Sequence, residues 1–102
     1  MILSLLRFAS HTPADGNNKV QTFNEHFEIC SLVGTLSGSA GHLHIVLGRA
    51  DGSTLSGHVV GDCEVFTTAE VVIGECADAV FNRTMDKRTE FDELSVEKRI
   101  LK

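Results

Sequence analysis

Residues 41–58 read GHLHIVLGRADGSTLSGH and carry three of the chain's five histidines. Side chains alternate between the two faces of a strand. His42 and His44 therefore share one face, and Leu43 and Ile45 share the other. The Asp51-Gly52 pair marks a reversal, so the segment reads as a β-hairpin. The length of that turn decides where His58 falls. A two-residue turn at Asp51-Gly52 pairs Ala50 with Ser53 and sets His58 against Ile45, on the wrong face. A three-residue turn, Ala50-Asp51-Gly52, pairs Arg49 with Ser53 and sets His58 directly against His44. The second turn suits the residues, because Gly52 accepts a positive φ at its last position. Three imidazoles then share a face at cross-strand spacing, with Gly41 and Gly57 leaving space beside them. Opposed β-carbons stand about 5 Å apart. Three rings so placed can meet one divalent ion such as zinc, leaving a fourth position open for water or a ligand oxygen. Histidines on a wet sheet face that bind nothing satisfy the same spacing.

Strand patterns extend to both sides. Upstream, residues 25–36 (EHFEICSLVGTL) put Phe27, Ile29, Ser31 and Val33 on one face and Glu28, Cys30, Leu32 and Gly34 on the other. A bend is expected near Gly34. Residues 2–8 (ILSLLRF) form a short apolar strand. Residues 10–19 (SHTPADGNNK) are a turn-rich loop. Downstream, residues 63–75 (CEVFTTAEVVIGE) are rich in β-branched residues and predict a strand. Residues 79–85 predict another, and 91–102 a strand through Leu94 and Val96 ending in a frayed tail, with a terminal helix as the alternative. No repeat and no second domain is visible, so 102 residues predict a single domain, 1–102.

Composition narrows the function. Nine basic against fourteen acidic residues leave a net charge of −5. That opposes direct DNA binding, which draws on a basic surface to displace counterions. Cys30, Cys63 and Cys76 match no zinc-binding spacing and predict free thiols in an intracellular protein, cytoplasmic or nuclear. Cys30 and Cys63 read as small buried apolar residues rather than nucleophiles. The apolar start is too short to span a bilayer. His11 and His26 read as surface histidines. Glu70 reads as an inward acid able to hydrogen-bond or pair with a neighbour. No acid completes a triad with Ser56 and His58, so no catalytic residue is assigned.

The runs FEICSLVGTLS, HLHIVLGRADGSTLSGHVVGDCEVFTTAEVVIGE and FNRTMDKRTEFDEL resemble the PPC domain, conserved in plants and prokaryotes. The resemblance covers residues 27–96, with a loop over 10–25 longer than expected. It rests on Phe27-Glu28-Ile29, His42-x-His44, Gly57-His58 and Thr68-Ala69-Glu70-Val71 in that order. It implies an α/β fold of the α+β type, a mostly antiparallel sheet with few helices. The family also implies assembly as a homotrimer, or as a hetero-oligomer with protein partners. It implies a metal held by His42, His44 and His58, and partner contacts through Phe27, Glu28 and Ile29; Glu70, read above as an inward acid, is the candidate to support the metal from behind. Plant members carry an AT-hook ahead of the domain, and nothing here matches one. The family's first strand and helix are also expected to be missing, which would leave an open edge and an apolar face.

Overall fold

The structure, a computed structural model, describes residues 2–7, 20–38 and 40–100. Residues 10–19, with His11, lie outside them. Seven strands are described: β1 (Ile2–Arg7), β2 (Val20–Gln21), β3 (Glu28–Leu36), β4 (Gly41–Gly48), β5 (Thr54–Glu64), β6 (Ala79–Asp86) and β7 (Phe91–Lys98). The first five form one sheet in the order β2-β1-β5-β4-β3, and β6 pairs with β7 in a second. The pairings of β1 with β2 and β5, of β4 with β5, and of β6 with β7 are antiparallel. No helix occurs among the described residues, so the mostly antiparallel architecture holds. The chain divides into two compact units, one of Met1–Gly34 with His42–Glu70, the other of Thr35–Gly41 with Val71–Lys102.

In the first unit, alternation along β4 turns Ile45 and Leu47 inward. With Phe27 they are the buried apolar residues, at 3, 0 and 5% exposure. Phe23, Ile29, Leu55 and Val59 pack against them half-buried. Burying a side chain of this size contributes about 1.5–3 kcal/mol, so these few residues tie β3, β4 and β5 together. Each also fixes a parity: with Ile45 and Leu47 inside, His42 and His44 must lie on the opposite face.

The β4–β5 turn is the three-residue one. The Arg49 amide donates to the Ser53 carbonyl at 2.9 Å, and the Gly52 amide to the Arg49 carbonyl at 3.0 Å. Gly52 has φ 87°, a conformation costly for any residue with a Cβ. The Asp51 carboxylate accepts from the Ser53 amide at 2.9 Å and from its hydroxyl at 2.6 Å. These bonds, the hydroxyl first, lower the Asp51 pKa. Arg49 is held from its other end. Its guanidinium donates to Glu25 at 2.7 Å and lies 5.4 Å from the centre of the Phe27 ring. That pairing, through the side-chain hydrogen bond first, lowers the Glu25 pKa and raises that of Arg49.

Two further features shape the sheet. A Cβ at Gly34 would collide with the His42 carbonyl and with Leu43, so glycine is what lets β3 approach β4 there. Between β1 and β5 the register shifts, because Leu5 pairs with Gly61 but Leu6 with Val59. That leaves one extra residue in β5, a β-bulge, beside Gly61 at φ 155°.

In the second unit, β6 and β7 pair from Ala79↔Lys98 to Asp86↔Phe91. The loop closes with the Glu90 amide donating to the Asp86 carbonyl at 2.8 Å and Glu90 at φ 63°. Arg88 pairs with Asp86 at 2.9 Å. Its hydrogen bonds lower the Asp86 pKa and raise that of Arg88.

The expected strand over 63–75 does not form beyond Glu64. Residues 65–78 carry no strand, and Val71, Val72 and Ile73 are 61, 98 and 71% exposed. β-branched composition favours a strand only where a neighbouring strand accepts it. Three readings of side-chain burial are corrected with it. Glu70 is exposed in this irregular stretch and not an inward acid, because no strand turns it in. Cys30 and Cys63 are exposed, as is Cys76: the core claims the residues of opposite parity. Val33, expected on the face of Ile29, is 68% exposed, although Ser31 and Thr35 of the same parity are half-buried.

Candidate metal centre

The register brings the three histidines together. His44 is the direct partner of His58 across β4 and β5, and Ile45 is opposite Gly57. His42 stands two residues from His44 on the same face. Ring centres are 5.1 Å apart for His42–His44, 5.1 Å for His42–His58 and 5.5 Å for His44–His58. One ligand nitrogen from each residue lies within 4.8 Å of the others. His42 and His44 are exposed and His58 is half-buried.

These distances fit a small divalent ion. Two nitrogens bound tetrahedrally at about 2.05 Å stand about 3.3 Å apart. The Nε2 atoms of His42 and His44 are already at 3.2 Å. The widest spacing has to close by about 1.5 Å, within reach of small ring rotations. An all-imidazole set selects zinc, copper, nickel or iron over calcium and magnesium, which take oxygen ligands. Glu70 is not among the residues gathered with the three rings. Nor are the cysteines: the Cys30 thiol lies 4.0 Å from the Glu28 carbonyl and that of Cys63 3.7 Å from the Gly61 carbonyl.

The other predicted site residues fall elsewhere. Of the Phe27-Glu28-Ile29 triplet, Phe27 is buried, Ile29 half-buried and Glu28 exposed. Glu28 alone of the three is exposed. His26 is exposed and stacks on Phe66 at 3.9 Å, with rings 23° apart. Sequence reading passed over Arg49 and Glu25, which anchor the end of the histidine hairpin. They are 24 residues apart, so no local pattern points to the pair. No helix among the described residues is long and apolar enough to cross a membrane.

Comparison with known proteins agrees with this architecture. Residues 3–77 match the profile of the Plants and Prokaryotes Conserved (PCC) domain. The bifunctional protein GlmU of Synechococcus sp. (strain JA-3-3Ab) is 37% identical over 75 residues, 74% of this chain and 12% of that protein. GlmU of Synechococcus sp. (strain JA-2-3B'a(2-13)) is 35% identical over 74 residues, 72% of this chain and again 12% of the relative. The chain thus matches only about an eighth of the length of these curated relatives. A solved structure of a hypothetical protein from Salmonella cholerae-suis superposes with a TM-score of 0.80 at 33% identity, covering 97% of this chain and 67% of that one. With a family profile spanning most of its length and relatives above 30% identity over about three quarters of it, the chain belongs to the Plants and Prokaryotes Conserved (PCC) domain family.

Proposed function

We propose that this chain is a non-enzymatic interaction module that assembles as a homotrimer and carries one divalent metal ion, zinc foremost, on His42, His44 and His58. The observation that carries the metal is the convergence of three ligand nitrogens within 4.8 Å of one another on one sheet face. A zinc ion held there supplies Lewis acidity and an open coordination position. The chain's own part is to present three imidazoles from two paired strands.

Assembly is supported by the apolar surface left in a single chain. In the second unit Val72, Ile73, Met85 and Val96 are each more than half exposed, Met85 and Val96 on one face of the β6–β7 hairpin, and exposed apolar faces of this kind mark contact surfaces. Within the Phe27-Glu28-Ile29 triplet, the exposure of Glu28 supports a protein contact through that residue. Net charge −5 weighs against direct DNA contact. A second reading, a metal-dependent enzyme or ligand sensor, draws on the exposure of His42 and His44, which leaves the open position facing solvent.

Sedimentation equilibrium with metal analysis on untagged protein tests the proposal. A trimer whose zinc is lost in His44→Ala while the mass is kept supports it. A monomer, or zinc content unchanged by the substitution, overturns it.

A further inference from the structure

Four arginines have described side chains, and three of them are ion-paired: Arg49 with Glu25, Arg88 with Asp86 and Arg99 with Glu75. Arg83 differs. It lies half-buried in the middle of β6, opposite Leu94 of β7. Its one bond is a 2.6 Å donation from the guanidinium to the Thr35 hydroxyl oxygen. The pairing register places one carboxylate on its face of the hairpin, Asp92 opposite Met85. Asp92 is exposed and makes no ion pair with Arg83. In a chain with an acidic excess, a half-buried arginine that among the described residues is bonded only to a hydroxyl is conspicuous.

The physical cost points to what completes it. Withdrawing a cation from water is unfavourable unless an anion or several acceptors compensate. A guanidinium carries five N–H donors in a planar fork that matches a carboxylate bidentately. Thr35 accepts from Arg83, which leaves its own hydroxyl proton to donate. Fork and hydroxyl therefore offer neighbouring donors, and among the described residues no carboxylate pairs with the fork. We propose that Arg83 and Thr35 form a receptor for a carboxylate, supplied by a small organic acid or by an acidic side chain of a second copy of this chain. The site lies wholly within the second unit and is independent of the histidines. Its ligand is an anion, where theirs is a cation.

Acetate is the probe. In nitrogen-edited NMR of the intact chain, the Arg83 side-chain Nε–H and the Thr35 amide are followed as sodium acetate replaces sodium chloride at constant ionic strength. The expected result is a saturable shift of both signals. Arg83→Gln should abolish it. Arg83→Lys, which keeps the charge but loses the fork, should weaken it about tenfold or more. Thr35→Val should weaken it less. If the carboxylate comes from a second copy, raising the chain concentration without acetate shifts the same signals, and Arg83→Gln reduces self-association. The wild-type titration needs no variant, so an unfolded Arg83→Gln does not spare the idea. A response equal for chloride and acetate, or none with acetate or with chain concentration, overturns it.

Discussion

Inserting one glycine between Gly52 and Ser53 separates two explanations of the histidine register. If turn length dictates pairing, the extra residue slips β5 by one position and turns His58 to the opposite face. If side-chain burial dictates it, the turn simply grows. Slippage would pull Leu55 and Val59, both half-buried against Ile45 and Leu47, away from the core. At about half of the 1.5–3 kcal/mol for full burial, that loss is about 1.5–3 kcal/mol for the two. It would also turn Ser56 and His58 inward, at about 1–3 kcal/mol for each unsatisfied polar group. Enlarging the loop by one residue costs only a few tenths of a kcal/mol in closure entropy. Burial wins by several kcal/mol. The variant should therefore keep the pairing of His44 with His58, lose less than about 1 kcal/mol by urea denaturation, and bind zinc with little change. A cooperatively folded insertion variant that no longer binds zinc would refute this reasoning and hand control of the register to the turn.

Other outcomes follow from single residues. Leu47 has no exposed surface, so Leu47→Ala should destabilise by about 2–5 kcal/mol, read as the shift of the urea midpoint. Gly34→Ala drives a Cβ into the His42 carbonyl, where only backbone can yield. A loss of about 1–3 kcal/mol is expected, together with weaker amide protection between β3 and β4. Asp51 and Asp86 have lowered folded-state pKa values from the bonds of Ser53 and Arg88. Their stabilisation is present above the ordinary value of 3.8 and is lost as pH falls through the lowered ones. Thermal stability should therefore drop below about pH 4, and less steeply in Asp51→Asn and Asp86→Asn. With Cys30, Cys63 and Cys76 free and exposed, a thiol reagent should titrate all three without denaturant. A reading of one would place two of them inside.

Where sequence and structure agree, the legible signal was local and over-determined. In the β4–β5 hairpin, the His-x-His spacing, the glycine fit at residue 52 and the apolar parity of Ile45 and Leu47 all demand one register. The β6–β7 hairpin follows from alternation on both sides of a polar turn. The segment over 65–75 was misread because valine and isoleucine content reports what a strand would welcome, while pairing depends on a neighbour that the sequence does not identify. Exposure of Cys30, Cys63 and Glu70 was missed for a related reason: parity within a strand is visible, but which face is covered is not. The Arg49–Glu25 pair and the Arg83–Thr35 bond join residues 24 and 48 apart. Both depend on tertiary contact and leave no trace in local spacing.

X-ray absorption at the zinc edge, on protein loaded with one equivalent of zinc, addresses the histidine centre most directly. The account predicts nitrogen and oxygen neighbours at about 2.0–2.1 Å with outer scattering from three imidazoles, reduced to two in His58→Ala. Sulfur neighbours at about 2.3 Å, or a spectrum that His58→Ala leaves unchanged, would contradict it.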